Sequence, residues 1–166
     1  LLHQGLPLIA TPAAEGEVGL LVVESAVMQR LLPRLRAAAL APRPLLLIGE
    51  SGTGRSYLGR WLHASSSRAV RPLVELSGLT PAPVDSWLTM AERARGGTLL
   101  CTELDRLDEY GQRDLLWLLS RFPTMNKPPR LIATALPSLD ERLRSGRFDR
   151  SLYDRLSVLR LEVPTL

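Results

Sequence analysis

Short apolar runs, each followed by a longer amphipathic stretch, recur along the chain from about residue 40 onward. Five of them have the length of strands: 45–48, 73–76, 98–101, 131–134 and 158–163. Runs without a polar face are typical of strands that are buried on both sides, as in a parallel sheet. The pattern therefore predicts a five-stranded, mostly parallel sheet.

Helical spacing of apolar residues fills the intervals between these runs. It predicts helices over 25–40, 55–63, 83–94, 112–119, 138–144 and 151–156. Ser25 is positioned to cap the first helix, and Pro33 is expected to bend or split it. Because strands alternate with helices, we expect an α/β fold, a three-layer sandwich with helices on both faces of the sheet.

Residues 1–21 mix apolar residues, prolines and glycines without a clear period, and we interpret them as a linker before one domain over 22–166. They have no positively charged region before an apolar core, so a secretory signal is not indicated. No apolar run approaches the roughly 20 residues that span a bilayer. We expect no membrane contact and a cytoplasmic protein, and the absence of an initiator Met suggests a fragment of a longer one.

Composition agrees with one globular domain, because 45% of the 166 residues are hydrophobic and 23% are charged. The net charge is +4, but the arginines are scattered among acidic residues, and Lys127 is the only lysine. This distribution favours a solvated mixed surface over a nucleic-acid interface. Cys101 is the only cysteine, which excludes an internal disulfide and suits a reducing compartment.

A glycine-rich turn directly follows the first strand of the predicted sheet. It consists of Gly49, Glu50, Ser51, Gly52, Thr53, Gly54, Arg55 and Ser56, and it nearly fits the phosphate-loop pattern G-x-x-x-x-G-K-[ST]. Such glycines let backbone N–H groups surround a phosphate, and the start of the next helix favours anions. The turn therefore predicts an ATP or ADP site, with the Ser56 hydroxyl on a Mg²⁺ ion.

Arg55 departs from this pattern, which requires lysine at its position. Lysine brings a compact ammonium to the phosphates, whereas arginine is larger and planar, so the exchange is not conservative. Two alternatives stay open at this point: a site that still binds nucleotide, and a glycine-rich turn that has lost its ligand.

Further segments in the same order make the chain resemble a known family. They are Glu24–Gln29, the loop Gly49–Gly54, Gly96–Leu100 before the third strand, and Gly146–Phe148 followed by Leu152–Leu156. With them the chain resembles, over roughly residues 22–166, the AAA+ domain of sigma-54-dependent transcriptional activators, the bacterial enhancer-binding proteins. The resemblance implies a P-loop NTPase fold, a nucleotide ligand and a role in transcription regulation, as in response regulators.

The resemblance also exposes departures at the Walker B segment, which ends in Asp-Glu in the family and in Thr102-Glu103 here. The family's aspartate helps to hold Mg²⁺, and a threonine hydroxyl has no charge for that task. Glu103 matches the family's water-activating carboxylate and is the residual catalytic candidate. Asp105 follows the strand and is not expected to replace the aspartate; a solvated strand end is the alternative for both carboxylates.

The family's sensing asparagine and two arginine fingers also have positions in this chain. The asparagine position is Leu136, which cannot orient a water molecule. One finger position is Asp149, flanked by Arg147 and Arg150, and the other matches Arg155. A finger acts in the neighbouring subunit's site and contributes roughly 10³–10⁵ in rate. The alternative for Arg155 is an ordinary surface arginine.

Several segments of the family are missing from the sequence. The Gly-Ala-Phe-Thr-Gly-Ala loop that touches the sigma factor is absent, because only a short stretch with one predicted helix separates Leu76 from Thr98. The chain stops at Leu166, where the helical lid would begin, and it lacks the DNA-binding helix-turn-helix. Contact with sigma-54 is therefore doubtful, and DNA contact requires domains outside this chain.

Three functions remain open from the sequence. The first is a degenerate ATPase that serves as a regulatory or oligomerisation module, through self-association or contact with other transcription-regulator domains. The second is a working ATPase that tolerates Arg55 and recruits Glu103 and Asp105. The third is a site repurposed for another phosphate ligand, such as a cyclic dinucleotide, held by Arg55 and the arginines near residue 150.

Overall fold

A computed structural model of the chain describes the backbone of residues 8–10, 20–22, 26–78 and 84–165, and the side chains of 26–78 and 87–165. The strands are β1 (Leu8–Ala10), β2 (Leu20–Val22), β3 (Leu45–Ile48), β4 (Leu73–Ser77), β5 (Thr98–Thr102), β6 (Arg130–Ala135) and β7 (Leu159–Glu162). The helices are α1 (Ala26–Leu40), α2 (Arg55–Ala64), α3 (Val84–Arg93), α4 (Glu109–Arg121), α5 (Ser138–Arg144) and α6 (Arg150–Leu156). Short 3-10 turns follow β5 and α4.

The five strands from β3 onward form one parallel sheet in the order β4-β5-β6-β3-β7. All five were predicted, within one or two residues at each end. Because every strand runs in the same direction, the carboxyl ends of β3, β5 and β6 lie at one edge. The glycine-rich turn follows β3, so it lies at the edge where parallel sheets bind ligands.

Alternating residues of β3 point to two different hydrophobic clusters. Leu45 and Leu47 pack with α1 and α2, against buried residues such as Trp61. Leu46 and Ile48 pack on the other face with residues of α3, α4, α5 and α6. Helices therefore cover both faces of the sheet, which confirms the three-layer α/β sandwich of P-loop NTPases.

The amino-terminal part differs from the sequence prediction in two respects. Helix α1 continues through Pro33 from Ala26 to Leu40, so the expected split does not occur. Buried residues on both sides of the proline, Leu31 and Leu35 among them, anchor the helix to the core. In addition, β1 pairs antiparallel with β2, a pairing that the sequence pattern did not indicate. The proposed cap, Ser25, lies outside the described residues.

No helix in the described ranges has the length and apolar character needed to cross a membrane.

Candidate functional site

The phosphate loop joins the carboxyl end of β3 to the start of α2, as the motif predicts. Gly52 and Gly54 have φ angles of 81° and 79°, a region that favours glycine because it has no Cβ. The Thr53 hydroxyl donates to the Glu50 carbonyl at 2.8 Å, which closes the turn from inside. Glycines at these two positions and the Thr53 hydrogen bond therefore account for the conformation of the loop.

Arg55 is the first residue of α2, next to the left-handed Gly54. The first N–H groups of a helix have no partner within the helix and attract anions. The Nη1 atom of Arg55 is buried and has no hydrogen-bond partner among the described residues. The Arg55 guanidinium thus carries a donor that no acceptor in the described residues satisfies, beside the N–H groups that begin α2.

The Walker B side of the site is held by bonds within the protein. The Thr102 hydroxyl lies 3.4 Å from the Leu76 carbonyl. Glu103 has a φ of 56°, in the left-handed region, and its carboxylate accepts a hydrogen bond of 3.0 Å from the Ser77 hydroxyl. Its backbone N–H donates to the Thr134 hydroxyl at 3.2 Å. Glu103 is thus half-buried and oriented towards β4 by Ser77.

Asp105 occupies an interior position, with 6% of its surface exposed. Its Oδ1 accepts a hydrogen bond of 2.9 Å from the backbone N–H of Leu136. The alternative of a solvated strand end is therefore wrong for Asp105, because the 3-10 turn after β5 directs the side chain inward. The Asp105 carboxylate connects the ends of β5 and β6.

The residues of the arginine-finger region are divided between structural and exposed positions. Asp149 caps α6, and its carboxylate accepts a hydrogen bond of 2.8 Å from the Leu152 N–H. Arg150 pairs with Asp154 at 3.2 Å, and Arg147 donates to Ser145. Arg155 lies in the last turn of α6 and is exposed. The acidic side chain at residue 149 is explained by its role as a helix cap.

A buried glutamine joins α4 to this region, although sequence reasoning did not select it. Gln112 is 5% exposed; its Nε2 donates to the carbonyls of Leu107 and Arg147, both at 3.1 Å. Its Oε1 accepts from the Asp149 N–H at 2.8 Å. The sequence could have indicated this residue, because a polar side chain is unusual within a helix that is otherwise rich in leucine. Through these bonds, Gln112 holds the segment before α6 next to the turn after β5.

Arg142 of α5 reinforces the same connection. Its guanidinium donates to the Asp105 carbonyl, to the Leu107 carbonyl at 3.0 Å and to the Arg147 carbonyl at 3.2 Å. The ring of Phe148 lies 6.0 Å from the guanidinium carbon. Arg142 therefore links the turn after β5 to the loop that precedes α6.

A further ion pair lies beside the phosphate loop. Arg160 of β7 binds both carboxylate oxygens of Asp140 at 2.8 Å and the Tyr153 hydroxyl at 2.7 Å. The hydrogen bond from Arg160 lowers the pKa of Asp140. Both residues line a cavity of about 160 Å³ that reaches Gly49 and Glu50. The pair joins α5 and α6 to the edge of the sheet next to the loop.

The remaining reactive side chains belong to the core. Cys101 is buried, and burial raises the pKa of its thiol to about 12, which agrees with an inert core residue. His63 is 6% exposed, with its Nδ1 2.8 Å from the Thr98 hydroxyl. Within the part of the chain that the structure describes, no group of three His, Cys, Asp or Glu side chains is arranged to hold a metal ion.

Comparison with known proteins identifies the family. The family model of the sigma-54 interaction domain matches residues 22–166. The transcriptional regulatory protein ZraR of Klebsiella oxytoca is 34% identical over 187 aligned residues, which cover 96% of this chain and 41% of ZraR. Crystal structures of NtrX from Brucella abortus are similar in fold. The ADP complex has a TM-score of 0.78 and 26% identity, and covers 91% of this chain and 39% of NtrX.

The NtrX complex with ATP has a TM-score of 0.75 and 27% identity, with 88% of this chain and 37% of that chain covered. This chain therefore spans about two fifths of the length of these relatives, 41% in the case of ZraR. The family match, the relatives and the parallel sheet with its phosphate loop agree with one another. The chain belongs to the sigma-54 interaction domain family, the AAA+ domain of transcriptional regulators such as ZraR and NtrX.

Proposed function

We propose that this chain is the AAA+ core of a bacterial transcription regulator that acts as a regulatory or self-assembly module, with weak or vestigial nucleotide binding and no effective ATP hydrolysis. One observation carries the proposal. The phosphate loop has the conformation that its glycines allow. On the Walker B side, by contrast, the Asp105 carboxylate accepts a hydrogen bond from the Leu136 N–H, and the Glu103 carboxylate accepts one from the Ser77 hydroxyl.

Loss of hydrolysis follows from how the catalytic groups cooperate. Hydrolysis needs a metal, a base, a γ-phosphate sensor and a finger in one arrangement, positioned to about 1 Å or better. Here the metal-holding position is Thr102, the sensor position is Leu136 and one finger position is Asp149. Because such groups act as a unit, several changes together remove most of the rate.

One structural observation and one comparison support the proposal that the loop still binds a nucleotide. The unpartnered Nη1 of Arg55 and the N–H groups at the start of α2 offer donors to a phosphate. The related NtrX was crystallised with ADP and with ATP. We therefore propose that ATP or ADP is the ligand of the loop.

Self-assembly is supported by the exposed Arg155, at the position that acts on the neighbouring subunit in the family resemblance. A sigma-54 contact through the usual loop is not part of this proposal. The link from Ser77 of β4 to Thr98 of β5 leaves room for little besides α3, and the sequence lacks the loop motif. Contacts with DNA are assigned to other domains of a cytoplasmic regulator.

Sedimentation velocity over a range of protein concentrations tests the assembly role, with and without ADP. Arg155→Glu is the test variant. Arg93→Glu is the matched control, because Arg93 is exposed and ends the helix between β4 and β5, whereas α6 precedes β7 at the other end of the strand order. We expect the wild type and the control to self-associate and Arg155→Glu to stay smaller. A wild type that remains monomeric at all concentrations contradicts the proposal.

One observation favours the second candidate, a working ATPase: Glu103 keeps a carboxylate at the end of β5. A rate of phosphate release that depends on this carboxylate would establish that candidate.

A further inference from the structure

We propose that the phosphate loop takes a nucleoside diphosphate or triphosphate without Mg²⁺, with the Arg55 guanidinium supplying positive charge in place of the ion. The inference rests on the proposed function, in that the loop still binds a nucleotide. It adds that the ligand is the metal-free nucleotide.

The donor set does not fit Mg²⁺. This ion prefers carboxylates together with phosphate oxygens and water in an octahedral arrangement. Thr102 offers a neutral hydroxyl, which lies near the Leu76 carbonyl. The carboxylate of Asp105 is 4% exposed and accepts a hydrogen bond from the Leu136 N–H, so an ion cannot reach it.

The other two candidate ligands of Mg²⁺, Glu103 and Ser56, do not replace the missing carboxylate. Glu103 accepts a hydrogen bond from the Ser77 hydroxyl and is held in a left-handed backbone conformation. Ser56 provides a hydroxyl in the first turn of α2, but a single neutral oxygen does not compensate the charge of a divalent ion. Among these positions, Glu103 offers the one carboxylate that is not enclosed, and one of its oxygens is already bonded to Ser77.

The charge that a metal-free polyphosphate needs is present on the other side of the loop. Arg55 begins α2, and its buried Nη1 has no acceptor among the described residues. An unsatisfied buried donor on a charged group is costly, and a phosphate oxygen removes that cost. A guanidinium also binds phosphate through two parallel hydrogen bonds, which an ammonium cannot do.

The expected effect of Mg²⁺ follows from these charges. An ion that is bound to the nucleotide in solution withdraws negative charge from the oxygens that Arg55 and the helix start attract. It gains no carboxylate at residue 102, where the chain has a threonine. Mg²⁺ should therefore leave the affinity for ADP unchanged or weaken it, whereas a site of the usual kind binds the Mg²⁺ complex more tightly.

Isothermal titration of the 166-residue chain with ADP tests this inference. One series contains EDTA, and the other contains excess Mg²⁺ at matched ionic strength, because screening alters charge–charge attraction. We expect a Kd in EDTA that is equal to or lower than the Kd in Mg²⁺. Binding that is tighter in Mg²⁺ overturns the inference.

Two arginine variants show whether Arg55 supplies the charge. Arg55→Gln should weaken ADP binding in EDTA by about tenfold or more, the usual loss for a charged hydrogen bond. Arg93→Gln is the control, because Arg93 ends α3 just before β5 begins, at the edge of the sheet away from the loop. The control should keep the wild-type Kd, and circular dichroism of both variants verifies the fold. Equal Kd values for Arg55→Gln and the wild type overturn the inference.

Thr102→Asp provides a test by gain of function. It restores a carboxylate at the position that the family uses for the metal, so Mg²⁺ should now lower the Kd for ADP. A variant that folds and shows no Mg²⁺ response overturns the argument that the missing carboxylate excludes the ion.

Failure of this inference is distinguishable from failure of the proposed function. Mg²⁺-dependent binding without hydrolysis overturns the metal-free site and leaves the regulatory module in place. Absence of ADP binding in both buffers also overturns the metal-free site, whereas self-assembly is measured separately by sedimentation. Only hydrolysis that depends on Glu103, or a monomer at all concentrations, contradicts the proposed function itself.

Discussion

The Asp105 carboxylate accepts a hydrogen bond of 2.9 Å from the backbone N–H of Leu136, across 31 residues of sequence. This bond fastens the turn after β5 to the end of β6, at the edge where the phosphate loop also lies. Arg106 lies 3.8 Å from the second carboxylate oxygen. The Asp105 carboxylate therefore has a structural role, because it joins two strand ends.

Removal of this carboxylate should destabilise the fold. Asp105→Ala leaves the Leu136 N–H without a partner, and an unsatisfied buried donor costs about 1–3 kcal/mol of unfolding free energy. Urea denaturation measures the difference. Asp154→Ala is the control, because its pair with Arg150 is exposed, and such pairs contribute about 0.2–1 kcal/mol. A loss for Asp105→Ala no larger than that of the control contradicts the structural role.

Arg130 provides a second buried link, between β6 and the end of α1. Its guanidinium donates to the carbonyls of Ala38, Ala39 and Arg43, at 2.6, 3.2 and 3.0 Å. Burial lowers the pKa of Arg130 to about 10, and the nearby charge of Arg68 acts in the same direction. The side chain therefore stays charged at neutral pH and satisfies the carbonyls at the end of the helix.

Arg130→Met should lower the unfolding free energy by about 3 kcal/mol or more, because it leaves several buried carbonyls without a donor. Arg113→Met is the control, because the Arg113 side chain is exposed and its ion pair with Glu109, at 3.7 Å, lies on the surface. Both variants are compared with wild type by urea denaturation, and the comparison requires that the slope of the unfolding free energy against urea concentration is the same in all three proteins. A cost below about 1 kcal/mol for Arg130→Met would mean that the carbonyls find other donors.

His63 should make stability depend on pH. Burial lowers the pKa of His63 from 6.5, the charge of Arg68 adds to this, and a backbone hydrogen bond with Arg71 opposes it. At pH values between the lowered pKa and 6.5, the folded state therefore binds fewer protons at His63 than the unfolded state. The unfolding free energy should fall as the pH decreases below that value.

His63→Gln should reduce the change of unfolding free energy with pH between about pH 7 and 5, as measured by denaturation at several pH values. His3→Gln leaves His63 in place and should keep the slope. A slope that persists in His63→Gln would assign the titration to another group.

The strands and the phosphate loop were predictable because their signals are local. Four apolar residues, 45–48, followed at once by glycines, determine both the strand and the turn. The start of α4 was less well predicted, at residue 112 instead of Glu109, because its cap is the Asp108 carboxylate on the Gly111 N–H. Capping depends on the conformation of one side chain, which periodicity does not report.

The environment of the site could not be predicted in the same way. Asp105 and Arg130 look like surface residues in the sequence, and each is buried because of partners 31 to 92 residues away. Gln112 and Asp149 likewise meet only when α4 and α6 are packed. Local patterns identify which residues are unusual, and the folded chain decides whether they face a ligand or a neighbouring element.

Phosphate release from saturating ATP with Mg²⁺ tests the central claim most directly, because Glu103 is the one Walker B carboxylate that the chain retains. The wild type and Glu103→Gln are compared at a protein concentration where the wild type is assembled. The account predicts the same rate for both proteins, equal to that of a blank without protein. A wild-type rate above the blank that Glu103→Gln abolishes would contradict it.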